Sequence, residues 1–329
     1  MTFKAIVVNK TEAGLTAELT TLEPADLGEG DVTVAVEYST INYKDGIAIS
    51  GRSAIIQRFP LVPGIDLAGT VEASDNLSFK PGDKVVVHGW GLGATHNGGF
   101  AQKARVPAGW LTRLPGNIST WQAAAIGTAG FTAMLSVLAL EHNGVAPSSG
   151  DILVTGANGG AGSVAIALLS RLGYRVVAST GRLNEAEYLT ALGAAEIVDR
   201  KTLSEPSPNP IQPARWAGAI DAVGSHTLVN VLAQTQYGGA VASFGLAQGI
   251  DLPGTVLPFI GRSVTLAGVD SVNAPDAKRD QAYRRLATDL DWRKLDAMTT
   301  TVGLAAAPEI ARSIFGGTIR GRVVVDVNA

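Results

Sequence analysis

The chain has 329 residues, 46% hydrophobic and 17% charged, with 26 Lys and Arg against 29 Asp and Glu and no cysteine. Such a length suggests about two domains with self-sufficient cores, and the composition excludes a disordered chain. The net charge of −3 gives no electrostatic case for nucleic acid or an anionic membrane, and the missing cysteines exclude disulfides, thiolate metal sites and cysteine nucleophiles.

The first eight residues lack the basic segment, apolar stretch and small-residue cleavage site of a secretory signal. Residues 1–120 read as β-rich. Residues 32–38 alternate with period two, as a half-buried strand does. Short strand patterns follow over 67–73, 85–88 and 100–106, punctuated by the turn dipeptides Pro63-Gly64, Pro81-Gly82 and Gly98-Gly99. Many short strands with such turns suggest a barrel or sandwich. The pattern changes near Trp121. An alanine-rich helix is predicted over 123–140, then strands and helices alternate. Strands are read over 152–155, 175–179, 196–198, 217–221, 240–244 and 264–269, with helices over 161–172 and 185–192 ending at Gly173 and Gly193. Alternation of this kind reads as βαβ units and a parallel sheet. Residues 204–213 hold four prolines and read as a surface loop. Helices over 277–290 and 308–315 and a last strand over 322–327 complete the chain. The uncharged stretches 123–140 and 152–170 are long enough for a bilayer, but Gly, Ser and Thr interrupt them, so they read as buried core; the lack of a targeting signal and of cysteine points to the cytoplasm.

The strongest chemical feature is the strand-to-helix turn through Asn158, Gly159, Gly160, Ala161 and Gly162. Glycine there lets the backbone turn tightly and approach a pyrophosphate, whose charge meets free N–H groups at a helix start. The first glycine of the G-x-G-x-x-G fingerprint is replaced by Ala157. About twenty residues on, where NAD enzymes place an acid for the ribose 2′-hydroxyl, the chain has Thr180, Gly181 and Arg182. A hydroxyl and a guanidinium suit a 2′-phosphate, and Arg200 could add a second cation. NADPH is therefore the expected cofactor.

Several segments resemble the medium-chain dehydrogenase/reductase superfamily in its zinc-free, quinone-oxidoreductase-like branch: Val62-Pro-Gly-Ile-Asp-Leu-Ala-Gly-Thr-Val71, Phe79-Lys-Pro-Gly-Asp-Lys-Val85, Gly98-Gly-Phe-Ala101 and Ala124-Ala-Ile-Gly-Thr-Ala-Gly-Phe-Thr-Ala133. More narrowly, Asn42-Tyr-Lys-Asp45, Trp216-Ala-Gly-Ala-Ile-Asp221 and Gly268-Val-Asp-Ser-Val272 look like the acryloyl-CoA reductase group. The resemblance implies an α/β chain. A GroES-like β-rich catalytic domain (1–122 and 276–329) would carry an inserted Rossmann doubly wound parallel sheet (123–275). It also implies a homodimer and NADPH-dependent reduction of acryloyl-CoA to propanoyl-CoA, with an NADPH-dependent quinone or enone reductase as the alternative and an NADPH-binding non-enzyme as a third reading. No metal is expected, since the four histidines have neither cysteine partners nor ligand-like spacing. In similar reductases the tyrosine matching Tyr43 sits beside the nicotinamide. Tyr43 is thus the candidate donor to the developing enolate, read here as a loop residue after the strand over 32–38. Arg322 matches an arginine of the family's C-terminal strand; it could hold a carbonyl or phosphate, or pair with an acid such as Asp66.

Overall fold

A computed structural model describes residues 1–329. The chain forms two compact units, one of residues 1–128, 271–287 and 295–329, the other of residues 129–270 and 288–294.

In chain order, β1 (Phe3–Thr11) and β2 (Gly14–Leu22) make an antiparallel hairpin. β3 (Val32–Thr40) is followed by α1 (Tyr43–Ser50), β4 (Asp66–Ser74), β5 (Lys84–His88), β6 (Lys103–Val106) and β7 (Thr112–Arg113). The long α2 (Thr120–His142) leads to β8 (Asp151–Val154), α3 (Gly160–Arg171), β9 (Arg175–Thr180), α4 (Ala186–Leu192) and β10 (Ala194–Asp199). Next come α5 (Lys201–Ser204), β11 (Trp216–Asp221), α6 (Ser225–Ala233), β12 (Thr235–Ser243), α7 (Leu257–Arg262) and β13 (Thr265–Gly268). The chain closes with α8 (Asp276–Asp289), α9 (Trp292–Ala297), β14 (Thr299–Gly303), α10 (Ala307–Ser313) and β15 (Arg322–Asp326).

In the first unit the strand order is β14-β15-β3-β4-β5-β7, with β6 also on β3. Val32, Val34 and Val36 of β3 point inward at alternate positions and pack with Leu67, Val85, Phe100 and Val325, all buried. Each such large apolar side chain contributes about 1.5–3 kcal/mol when fully buried. The predicted strand over 100–106 is shorter in the structure: Phe100 and Ala101 hydrogen-bond or bridge to β1, and only Lys103–Val106 pair with β3. The 308–315 helix likewise gives way at Ile314 to a 3-10 turn ending at the left-handed Gly317.

In the second unit six parallel strands run in the order β10-β9-β8-β11-β12-β13. Numbered within the sheet this is 3-2-1-4-5-6, the doubly wound order of dinucleotide-binding sheets. Ile152, Leu153, Val154, Val176 and Val177 are fully buried, as expected for strands covered on both faces. α2 is apolar and long enough to cross a bilayer, but 78% of its most apolar window is buried inside the protein.

Candidate active site

In the second unit, the order of strands reverses between β8 and β11, so a crevice opens beyond their C-terminal ends. The turn from β8 into α3 lies there. A Cβ on Gly162 would stand 2.4 Å from the Gly156 carbonyl oxygen and 2.8 Å from the Ala157 Cα, so only glycine lets α3 pack this close to the turn. Gly159 caps α3, and the first helical N–H groups, of Gly160, Ala161 and Gly162, have no partner within the helix. Asn158 is buried; its Oδ1 accepts the Thr180 hydroxyl while its Nδ2 has no partner. A buried amide donor left unpaired is rare, and an anionic acceptor would satisfy it. Cradle and orphaned donor fit a diphosphate.

The structure brings the other predicted cofactor residues together at the ends of β9 and β10. Thr180 pairs with Asp199, and Arg200 N–H donates to the Thr180 carbonyl at 2.9 Å. The Thr180 hydroxyl accepts the Arg182 N–H at 2.9 Å. The Arg200 side chain lies over Gly181, where a Cβ would fall 2.6 Å from Nε. The Arg200 guanidinium at this strand end, with a second arginine, Arg182, two residues past β9, suits a 2′-phosphate. The sequence reading missed Asp221. Buried at the end of β11, it accepts the Thr155 hydroxyl at 2.7 Å and the Gly224 N–H at 2.9 Å. It thereby ties β8 to β11 across the switch point, and burial raises its pKa.

In the first unit Tyr43 is not a loop residue: it opens α1, with Asn42 as N-cap. The residue is 46% exposed, and its ring meets Phe315 edge-on at 5.1 Å. Behind it lies a buried polar cluster. Asp45 accepts the Asn42 N–H at 2.8 Å and the Ile65 N–H at 2.9 Å. Asp66 accepts Asn42 Nδ2 at 2.8 Å, the Thr128 N–H at 2.8 Å, the Thr128 hydroxyl and His88 Nδ1 at 2.9 Å. His88 Nε2 meets the Tyr283 hydroxyl at 2.5 Å. Burial, helped by the Asp66 charge, lifts Asp45 to about 7. Burial also pushes Asp66 up, but the His88 ring and the Thr128 donors outweigh it and hold Asp66 below its ordinary value. Burial, with Asp66 adding, raises Tyr283 well above 10.

Arg322 is buried in this cluster. Nε donates to the Ala125 carbonyl at 2.8 Å, Nη2 to the Thr40 hydroxyl at 2.8 Å and Nη1 to Asn42 Oδ1 at 3.4 Å. Burial lowers its pKa while Asp66 and Asp45 oppose the shift. The Ala125 carbonyl and Thr128 N–H are available because α2 breaks at Gly127 (φ 51). A Cβ there would stand 2.4 Å from Arg322 Nη2. His88, Thr128 and Tyr283 were not read from sequence as site residues. The one available clue was a histidine closing an otherwise apolar strand.

Zinc does not fit this cluster. Both Asp66 oxygens already accept N–H or O–H donors, its neighbours Asn42 and Thr128 are poor zinc ligands, and no group of three His, Cys, Asp or Glu side chains could hold an ion.

A doubly wound sheet with a phosphate cradle in one unit, and a β-rich second unit with a buried acid cluster, are the two parts of dinucleotide-dependent dehydrogenases and reductases. Residues 28–116 match the alcohol dehydrogenase GroES-like domain family and residues 160–288 the zinc-binding dehydrogenase family. Acrylyl-CoA reductase AcuI of Ruegeria pomeroyi is 52% identical over 329 residues, covering 99% of this chain and all of that one. The crystal structure of Escherichia coli K-12 YhdH with bound NADPH superposes with a TM-score of 0.96 at 48% identity, over 98% of this chain and 100% of that one. Bacillus subtilis protein yhfP, crystallised with NAD bound, gives 0.96 at 41% identity, over 99% and 100%. The chain belongs to the medium-chain dehydrogenase/reductase superfamily, in the quinone-oxidoreductase-like branch that includes acrylyl-CoA reductases.

Proposed function

We infer that this chain is an NADPH-dependent reductase that converts acryloyl-CoA to propanoyl-CoA. The observation that carries the reading is the 52% identity to an acrylyl-CoA reductase along the entire chain. The cradle at 158–162, with its unpaired Asn158 amide, is suited to the diphosphate, and Thr180, Gly181, Arg182 and Arg200 to the 2′-phosphate.

Bound NADPH supplies the hydride that reduces the β-carbon. The chain's own residues have the rest to do. As the β-carbon is reduced, negative charge builds on the thioester oxygen and the α-carbon needs a proton. Without a metal, donors must stabilise that charge. We assign this to the Tyr43 hydroxyl, the exposed polar group on the first turn of α1. Asn42, Asp45, Asp66 and Arg322 are positioning residues that fix this turn from below. Metal-independence is part of the proposal and rests on the absence of cysteine and the saturated Asp66.

The direct test follows NADPH oxidation with acryloyl-CoA, crotonyl-CoA and a benzoquinone in the presence and absence of a chelator. Activity with the quinone alone would place the chain among quinone reductases, and none with any acceptor would leave a binding protein.

Cofactor choice is tested separately. Arg182→Ala is expected to raise KM for NADPH about 10- to 100-fold, the loss of one charged hydrogen-bonded contact of about 1.5–3 kcal/mol. KM for NADH should hardly move. An unchanged NADPH preference would remove Arg182 from the site.

The homodimer is likewise a proposal. β13 is an edge strand, and its unit exposes Tyr237, Ile250, Val256 and Ile260. Sedimentation at micromolar concentration should give twice the 33.9 kDa chain mass; a 33.9 kDa species would refute it.

A further inference from the structure

A small pocket of the first unit adjoins the first turn of α1, lined by Lys44, Ile65, Gly89, Leu92, Thr128 and Val272 among others. It has room for little more than one water-sized group. A wider, open depression elsewhere on this unit carries the Arg113–Asp83 surface pair and the exposed Lys84.

One wall of the small pocket is built against local preference. Gly89, Trp90 and Gly91 all have positive φ, at 81°, 56° and 91°. Glycine accepts this, but a bulky side chain such as tryptophan avoids it. The Trp90 indole N–H is also buried without a partner. Two unfavourable features in one residue need something to hold them, and the neighbouring contacts do so. The Trp90 backbone N–H donates to the Val272 carbonyl at 3.3 Å, and a Cβ on Gly89 would stand 2.4 Å from that same oxygen. Arg279, itself buried, stacks over the Trp90 ring at 4.6 Å. Its guanidinium donates to the carbonyls of Ala274 at 2.8 Å, His88 at 3.0 Å and Val272 at 3.0 Å. The loop after β5 and the segment before α8 are thus clamped together. Strain that the surroundings over-determine in this way is a mark of function.

We propose that this wall is a chain-length stop. The pocket takes the terminal CH2 of a three-carbon unsaturated acyl group, and Leu92, on the wall held by the Gly89-Trp90-Gly91 loop, together with Ile65 just before β4, excludes longer chains. The proposal rests on the acyl-CoA reading above and adds to it the residues that set acyl length. Leu92 and Ile65 bound the space together with Val272, while the Thr128 hydroxyl is committed to Asp66.

The test measures kcat/KM of the full chain with NADPH for acryloyl-, crotonyl- and 2-pentenoyl-CoA. Wild type should lose about 10- to 200-fold per added methylene. Leu92→Ala should raise the crotonyl-to-acryloyl ratio at least about tenfold, on the same scale of pocket discrimination. Leu92 also belongs to the core, so Leu92→Val and Ile65→Val are measured in parallel, with a thermal melt on each, and should shift the ratio in the same direction. A wild type that takes all three substrates equally overturns the stop. So does a set of folded variants whose ratio stays at the wild-type value while acryloyl-CoA is still reduced. If wild type reduces no acyl-CoA, the acyl-CoA reading itself falls and the stop with it.

Discussion

Tyr43→Phe is expected to lower kcat with acryloyl-CoA about 100- to 1000-fold, the loss produced by removing one donor from a developing oxyanion, with a much smaller rise in KM. The substitution is clean because the ring's edge-on contact with Phe315 at 5.1 Å needs no hydroxyl. The turn that carries the ring is held by the Asn42 and Asp45 backbone and side-chain contacts, none of which involves the phenol oxygen. What is removed is therefore one donor. If that donor strengthens its bond only as charge builds on the thioester oxygen, the deficit falls on kcat and kcat/KM together. If Tyr43 merely helps bind the acyl-CoA, KM rises and kcat stays. Steady-state rates over a full range of acryloyl-CoA concentrations distinguish these outcomes, and turnover at the wild-type level would remove Tyr43 from the chemistry.

The cofactor half of the site could be read in the sequence far better than the acid cluster, for a physical reason. A phosphate cradle is local. Its glycines, the strand before it and the helix after it fall within about twenty consecutive residues, as the fingerprint requires, and the βαβ alternation around it repeats a pattern that periodicity detects. The cluster in the other unit is assembled from Asp45, Asp66, His88, Thr128, Tyr283 and Arg322, which meet only after folding. Nothing near Tyr283 in the sequence marks it as a partner of His88. α1 was illegible for a related reason. It is eight residues long and contains Gly46, whose missing Cβ allows the Ala311 carbonyl oxygen within 2.6 Å of where that atom would be. That close packing, not helix propensity, fixes the turn bearing Tyr43. The β1–β2 hairpin shows no strand signature in the sequence because Phe3 to Val8 is continuously apolar apart from Lys4, which hides the period of two. β14 escaped notice because its three threonines show no alternation; it forms by parallel pairing with β15.

Arg322→Met should destabilise the protein by about 3–5 kcal/mol, as breaking a buried charged network does. The guanidinium bridges Ala125, Thr40 and Asn42, and its charge lies among Asp66 and Asp45. Methionine fills much of the volume but leaves those acceptors unpaired. Arg322→Lys should recover little, since an ammonium cannot reproduce the planar fork that reaches three acceptors. The loss should also depend on pH with a definite sign. Asp45 is lifted to about 7 in the folded protein. Its ionisation therefore lowers stability as pH rises from the ordinary carboxylate range toward 7, since the folded state binds the proton more tightly than the unfolded one. Removing Arg322 takes away a favourable charge, raises Asp45 further and carries that decline above pH 7. Urea midpoints of wild type and Arg322→Met between pH 5 and 9 should therefore diverge as pH increases. Parallel curves would show that Arg322 acts through its hydrogen bonds alone. Coincident curves would show that the cluster does not depend on this residue.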